Sequence, residues 1–225
     1  EAKMSLSDIY DYLNNSGKKL EYLKEVLAQA EEKNNRRMML DALYSMRNFY
    51  DISGDTTSLL PYCLKMLHNS RLSKNRLHEY KDLMFNAYFR NNLDSSLFYF
   101  KEAVEIAEKY LEKKDERTAH QAIAHFYYQN RSIKSVNDDG VLSHYKKVLS
   151  LSEDMGDKEL VFGAIGNIAD FYSHYEKNIK LALNNIKKME LVASELENNK
   201  FMIQTYQAYY EHYLNINERD KARDY

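Results

Sequence analysis

Apolar residues in this chain recur with the period of a helix, and the pattern stops and restarts at regular intervals. Ile165, Ile168, Ala169 and Tyr172 fall at i, i+3, i+4 and i+7, which puts them on one helical face. After the polar stretch 173–178 a second stripe follows at the same period: Ile179, Ala182, Leu183, Ile186, Met189 and Ala193. Two such stripes in succession predict a helical hairpin whose apolar faces meet each other or a neighbour. The same phrase occurs upstream. Met39, Ala42, Leu43, Met46 and Tyr50 precede the break ISGDTTS and then Leu60, Cys63, Leu64 and Leu67. Leu77, Tyr80, Met84 and Tyr88 precede RNNLDSS and then Leu97, Phe100, Val104 and Ala107. Ala119, Ile123, Phe126 and Tyr127 lead through a longer break to Leu142, Tyr145 and Leu149, and Met202, Tyr206, Tyr209 and Tyr213 open a last copy. Leu20, Leu23, Leu27 and Ala30 form one stripe before all of these, with a weaker helix expected over Leu6 to Leu13.

Taken from Tyr50, Tyr88, Tyr127, Tyr172 and Tyr213, the repeat spacings are 38, 39, 45 and 41 residues. Periods of this size belong to helical-hairpin solenoids, in which no hairpin buries its apolar face alone and stacked neighbours share a continuous core. The predicted fold is all-α, a solenoid of antiparallel helical hairpins spanning 1–225, with hairpins at about 4–34, 36–72, 75–114, 116–155 and 157–198 and a truncated one at 200–225. Ser53-Gly54-Asp55 is expected to supply a helix stop and a cap, with Pro61 expected in the first turn of the next helix, where its missing N–H would cost little.

Ile168-Ala169-xx-Tyr172 followed by a hinge and Ala182, and Ile123-Ala124-xx-Tyr127, resemble the tetratricopeptide repeat: a large residue, a small one, an aromatic three on, then an Ala in the second helix. The phrases Met155-Gly156-Asp157 and Ser53-Gly54-Asp55 resemble the longer variants of that family, of roughly 40 residues per repeat. The copies at Tyr50, Tyr88 and Tyr213 depart from the pattern, with Arg47, Phe85 and Tyr210 where a small residue is expected. The resemblance implies a right-handed superhelix whose first helices line a concave surface, and an activity of binding peptides or proteins.

Composition narrows the function. With 32 basic against 34 acidic side chains the formal charge is −2, so there is no domain-wide positive field of the kind nucleic-acid binding uses. No run of roughly 20 apolar residues occurs that would cross a bilayer. The single Cys63 cannot form an internal disulfide, which fits the cytosol without excluding export. The chain starts Glu-Ala-Lys and ends within a helical pattern, and is read as a segment of a longer protein.

Candidate chemistry is sparse. His78-Glu79 begins like a zinc helix, but Asp82 stands where the second His belongs. His120 and His125 are five apart and do not share a face suited to one ion. Cys63 lies on an apolar stripe, as an inert buried thiol would. Asn137-Asp138-Asp139-Gly140 lacks the later Glu of a calcium loop. The expectation is a protein that is not an enzyme and has no cofactor or metal.

If first helices line a groove, residues two before each tyrosine anchor face it: Asn48, Asn86, His125, Asp170 and Glu211. Residues six before are Tyr44, Asp82, Gln121, Gly166 and Gln207; Asn167 adjoins this set, and Phe89 and Tyr128 follow their anchors by one. Asn and Gln offer a donor and an acceptor together, which suits the backbone of an extended ligand. The resemblance implies such a role for Asn48 and Asn86. It also sets aside an adaptor for chaperone tails, because that class carries Lys at the second set of positions and this chain has none there. The partner expected is a protein or peptide, with no nucleic acid and no membrane insertion. The favoured role is a sensory or regulatory segment of a larger bacterial signalling protein, placed in the periplasm. The alternative is a free-standing cytoplasmic adaptor that organises a protein complex.

Overall fold

A computed structural model describes residues 16–88, 92–130 and 138–225. The helix expected over Leu6 to Leu13, and Phe89, lie outside them. Helices follow one another through the described residues: α1 (Ser16–Glu32), α2 (Arg36–Ser53), α3 (Thr56–Leu72), α4 (Arg76–Tyr88), α5 (Leu93–Tyr110), α6 (Lys113–Gln129), α7 (Asp138–Asp154), α8 (Lys158–Asp170), α9 (Ile179–Glu195), α10 (Asn199–Asn215) and the short α11 (Arg219–Ala222). No strand occurs among the described residues. None of these helices is long and apolar enough to cross a membrane.

Most of the described turns are built from one local device. A residue in the left-handed region ends a helix, and the next residue, usually Asn or Asp, caps the following one. The left-handed residues are Asn34, Gly54, Lys74, Gly156, Lys177, Glu197 and Asn217, with φ between 49° and 70°. The side chains of Asn35, Asp55, Asn75, Asp157, Asn178 and Asn198 then accept from the backbone N–H of Met38, Ser58, His78, Leu160, Leu181 and Lys200. Each cap satisfies one of the orphan donors of a helix start. Only two of the seven left-handed positions are Gly, so a search for Gly alone finds two of these turns and misses the others.

The chain forms two compact units, one reaching to Leu111 and the other starting at Glu112. In the N-terminal unit, α1 to α5 pack each on the next. Its core joins Leu23, Val26 and Leu27 of α1 to Ala42, Leu43 and Met46 of α2 and Met66 of α3. Tyr50, Leu59 and Cys63 form an adjoining cluster. Arg71 of α3 pairs with Glu79 of α4 at 3.3 Å and Glu102 of α5 at 2.9 Å, and Arg76 also pairs with Glu79. The buried Glu79 carboxylate is therefore compensated by two cations, as burial of a charge requires.

In the C-terminal unit, α6 to α11 pack in the same sequential way. Its core joins Phe162, Ile165 and Ala169 of α8 to Ile186, Met189 and Ala193 of α9 and Phe201 and Tyr209 of α10. Ala119, Ala124, Ala169, Ala182 and Ala193 are all buried, and small residues at these places let neighbouring helices approach closely. Tyr225 stacks on Tyr209 with ring centroids 4.5 Å apart.

Several apolar assignments shift by a residue. On α3 the buried residue is Leu59, while Leu64, expected in the core, is 43% exposed. The pattern had both i and i+1 leucines to choose from, and packing took the set Leu59, Cys63, Met66, Leu67. Leu77 and Ile179 are likewise exposed because each sits in the first turn of its helix.

Candidate functional site

The helix starts set the register of each first helix. Counted from its first helical residue, Asn48, His125, Asp170 and Glu211 each stand twelve positions in, and Tyr44, Gln121, Gly166 and Gln207 eight. Asn86 and Asp82 stand only ten and six positions into α4. A slip of two residues turns a helix by roughly 200°, and the structure shows the result: Asn86 is 0% exposed and Asp82 is also buried.

The Asn86 amide donates to the carbonyl of Cys63 on α3 at 3.2 Å and to that of Asp82 at 2.8 Å. It ties α4 to α3 and is not on an open face. Burial pushes the Asp82 carboxyl up from its ordinary range, opposed by a hydrogen bond with Ser70 and the charge of Arg47. The residue that stands twelve positions into α4 is Tyr88, and it is 60% exposed. Tyr44 on α2 is also exposed, Asn48 half-buried, and the Arg47 guanidinium lies 4.5 Å from the ring of Tyr44 and 4.2 Å from that of Phe85. The position where a small residue was expected thus holds a cation between two aromatic faces.

In the C-terminal unit the sequence-derived residues divide. Gln121 accepts from Arg117 at 2.7 Å, a pairing within α6. His125 is exposed and meets the ring of Tyr145 edge-on at 5.8 Å. Tyr128 and Asn167 are half-buried. Burial, then the charge of Asp170, then Tyr128, hold the Tyr145 phenol above its usual range. Gly166, Asp170, Gln207 and Glu211 come together on one cavity of about 240 Å³ between α8 and α10, floored by Ile186 and Met189 of α9.

A feature the sequence pattern did not announce completes this cavity. Immediately after α8 the chain makes a π-helical turn over Phe171–Tyr175, closed by the N–H of Glu176 donating to the carbonyl of Phe171 at 3.2 Å. The wider turn carries Ser173 and His174 into the cavity wall, a use of π turns that is frequent at functional sites. Nδ1 of His174 pairs with Asp170 Oδ1 at 2.8 Å, and its Nε2 meets Asn215 Nδ2 at 3.0 Å. These two contacts hold the ring at both ends.

His212 also lines the cavity and is 2% exposed, with Nε2 buried and without a hydrogen-bond partner. Burial lowers its pKa, so it stays neutral at pH 7. A second cavity of about 460 Å³ shares Ser173, His174 and His212 and runs on past Lys177, Ile179, Asn215 and Ile216. The two together form an open groove along the first-helix side of the unit. It is polar on its walls and apolar on its floor, and carries two carboxylates.

No family model matches the chain, and no curated protein does. Solved structures do. Over 95% of this chain, at 18% identity and a TM-score of 0.72, it is similar to a Signal Transduction ATPase with Numerous Domains protein with a tetratricopeptide repeat sensor from Pyrococcus horikoshii. The match covers 32% of that protein, so the chain spans about a third of its length. BtubC from P. vanneervenii matches over 91% of this chain and 85% of its own, at 13% identity and a TM-score of 0.69. TPR-like repeats of a Podosopora anserina protein described as a kinesin light chain match over 88% and 96%, at 10% identity and a TM-score of 0.66. At these identities the likeness is one of fold: the chain is an all-α tetratricopeptide-type helical repeat.

Proposed function

We propose that the chain is a protein-interaction scaffold that holds an extended segment of a partner in the groove of its C-terminal unit. The observation that carries this is the convergence of Asp170, Gln207 and Glu211, from two successive first helices, on one cavity with an apolar floor. Amide and carboxylate side chains pair with the N–H groups of an extended backbone, and the floor of Ile186 and Met189 takes side-chain carbon, so polar and apolar recognition are supplied from different helices.

The same segment serves, in this reading, as the sensory or regulatory part of a larger signalling protein. Support comes from the archaeal neighbour, in which repeats of this fold form the sensor of a signal transduction ATPase. The test is affinity capture from source-cell fractions, comparing the native chain with one carrying Gln207→Ala and Glu211→Ala together. Both residues are exposed, so the variant should keep its melting temperature and lose the captured protein. Equal capture by both chains would overturn the assignment to this groove.

A further inference from the structure

We infer that the groove of the C-terminal unit selects a basic residue, Lys or Arg, in the segment it holds, with Asp170 and Glu211 as the counter-charges. This rests on the peptide-binding reading above and specifies its chemistry.

Three observations lead there. The first is charge. Asp170 and Glu211 project from neighbouring first helices onto the same cavity, and no Lys or Arg lines it. Glu211 is paired with no basic side chain among the described residues, and one Asp170 oxygen is used by His174. His212, neutral at pH 7, adds no positive charge. Lys177 lines the adjoining cavity and not this one. A cation entering beside these two carboxylates gains charge-assisted hydrogen bonds.

The second is shape and lining. At about 240 Å³ the cavity is smaller than the roughly 300–1,000 Å³ of drug-sized ligand sites. It suits a single long side chain. Lys and Arg bury an apolar stem while keeping the charged head among polar groups, and the cavity has that arrangement, with Ile186, Met189 and Ala208 beside the carboxylates. A carboxylate-bearing side chain would meet like charge, and a purely apolar one would desolvate Asp170 and Glu211 without recompense.

The third is His212. A buried ring nitrogen without a partner is a polar group left unsatisfied in the free protein. His212 follows Glu211 on α10 and lines the same cavity.

The experiment follows the ring ¹H–¹³C signals of His174 and His212 by NMR in the intact chain, during titration with four acetylated, amidated peptides, Gly-Gly-Xaa-Gly-Gly. Xaa is Lys, Arg, norleucine or Glu. Lys and Arg peptides should shift both rings saturably, and norleucine and Glu peptides should not. Glu211→Gln should weaken the Lys peptide about five- to tenfold, and added salt should weaken it in the native chain. Because Glu211 is exposed, this variant should melt with the native chain, so loss of binding cannot be ascribed to unfolding. Equal shifts from the norleucine peptide, stronger shifts from the Glu peptide, or indifference to Glu211→Gln would overturn the selection of a basic residue and leave the groove as a peptide site. Shifts from no peptide, or shifts confined to residues outside the groove, would overturn both.

Discussion

Nδ1 of His120 on α6 and Nδ1 of His144 on α7 lie 2.7 Å apart, a hydrogen bond in which one ring must donate and the other accept. His120 is buried, and the ring of His144 is stacked on Tyr127 with centroids 5.9 Å apart. Burial, then the neighbouring His120, lower the pKa of His144 from 6.5 to about 4. The bond ties the two helices of one hairpin and requires that the pair remain short of full protonation.

Acid should therefore loosen the C-terminal unit before its carboxylates protonate. The unfolded His144 takes a proton near pH 6.5 and the folded one only near 4, so the unfolded state binds more protons between these values. Stability from this group is fully present above pH 6.5, is lost as pH falls toward 4, and changes no further below that. The loss is on the order of 2 kcal/mol, given that each pKa unit is about 1.4 kcal/mol and that the ring is half-buried. His212, also lowered by burial, acts in the same direction. Urea midpoints measured from pH 7.5 to 4 should fall, and His144→Gln should flatten the profile. An unchanged profile in that variant would mean the pair does not carry the effect.

Asn86 and Asn48 look alike in sequence and should behave oppositely. Asn86→Ala removes a buried amide that donates to two carbonyls, and should cost about 1–3 kcal/mol. Asn48→Ala, on a half-buried residue of α2, should stay within about 0.5 kcal/mol. The leucines of α3 make a matching pair. Leu59→Ala should cost roughly 2–5 kcal/mol and Leu64→Ala under about 1 kcal/mol, because only Leu59 is fully enclosed. Chemical denaturation of the four variants checks both pairs.

That contrast shows what the sequence made legible and what it did not. Helical period and repeat length were readable because burial of an apolar stripe leaves a periodic trace, and Ile123, Ile168, Ala182 and Ile186 are all buried where the stripes put them. Groove-facing residues leave no such trace, so they had to be counted from an anchor. Tyrosine is a poor anchor, since Tyr88 is exposed while Tyr50, Tyr127 and Tyr172 are buried. The Asn or Asp cap is a better one, because its side chain is hydrogen-bonded to a defined position of the helix it opens. Counting from Asn75 would have put Tyr88, and not Asn86, in line with Asp170 and Glu211. The π turn at Phe171–Tyr175 had no readable signal, since its wider hydrogen bond depends on the packing around Phe171 and Tyr172.

The left-handed turns give a third prediction. Lys177 has φ 52°, where its Cβ crowds the following carbonyl, and the next residue, Asn178, caps α9. Lys177→Gly removes that crowding at the cost of a more flexible unfolded chain, and should stabilise by about 0.5 kcal/mol. Lys177→Val should do the reverse, since a β-branched residue tolerates this region least. Thermal melts of the two variants should move in opposite directions, and movement in the same direction would mean that the turn is not what they report.

Two glycines on α8 allow stability and groove occupancy to be separated. Gly163 and Gly166 both lie inside the helix, where Gly costs up to about 1 kcal/mol relative to Ala. A Cβ on Gly163 would meet nothing within 4 Å, and one on Gly166 would meet Met189 Cε at 3.5 Å, an ordinary contact. Both Gly163→Ala and Gly166→Ala should therefore raise stability by about 0.5–1 kcal/mol. Only Gly166 lines the cavity, so only its substitution narrows the floor beside Met189. If a side chain of the partner occupies that space, Gly166→Ala weakens capture although the protein is more stable, and Gly163→Ala leaves capture as it was. Equal capture by the two variants would place the bound segment elsewhere along α8.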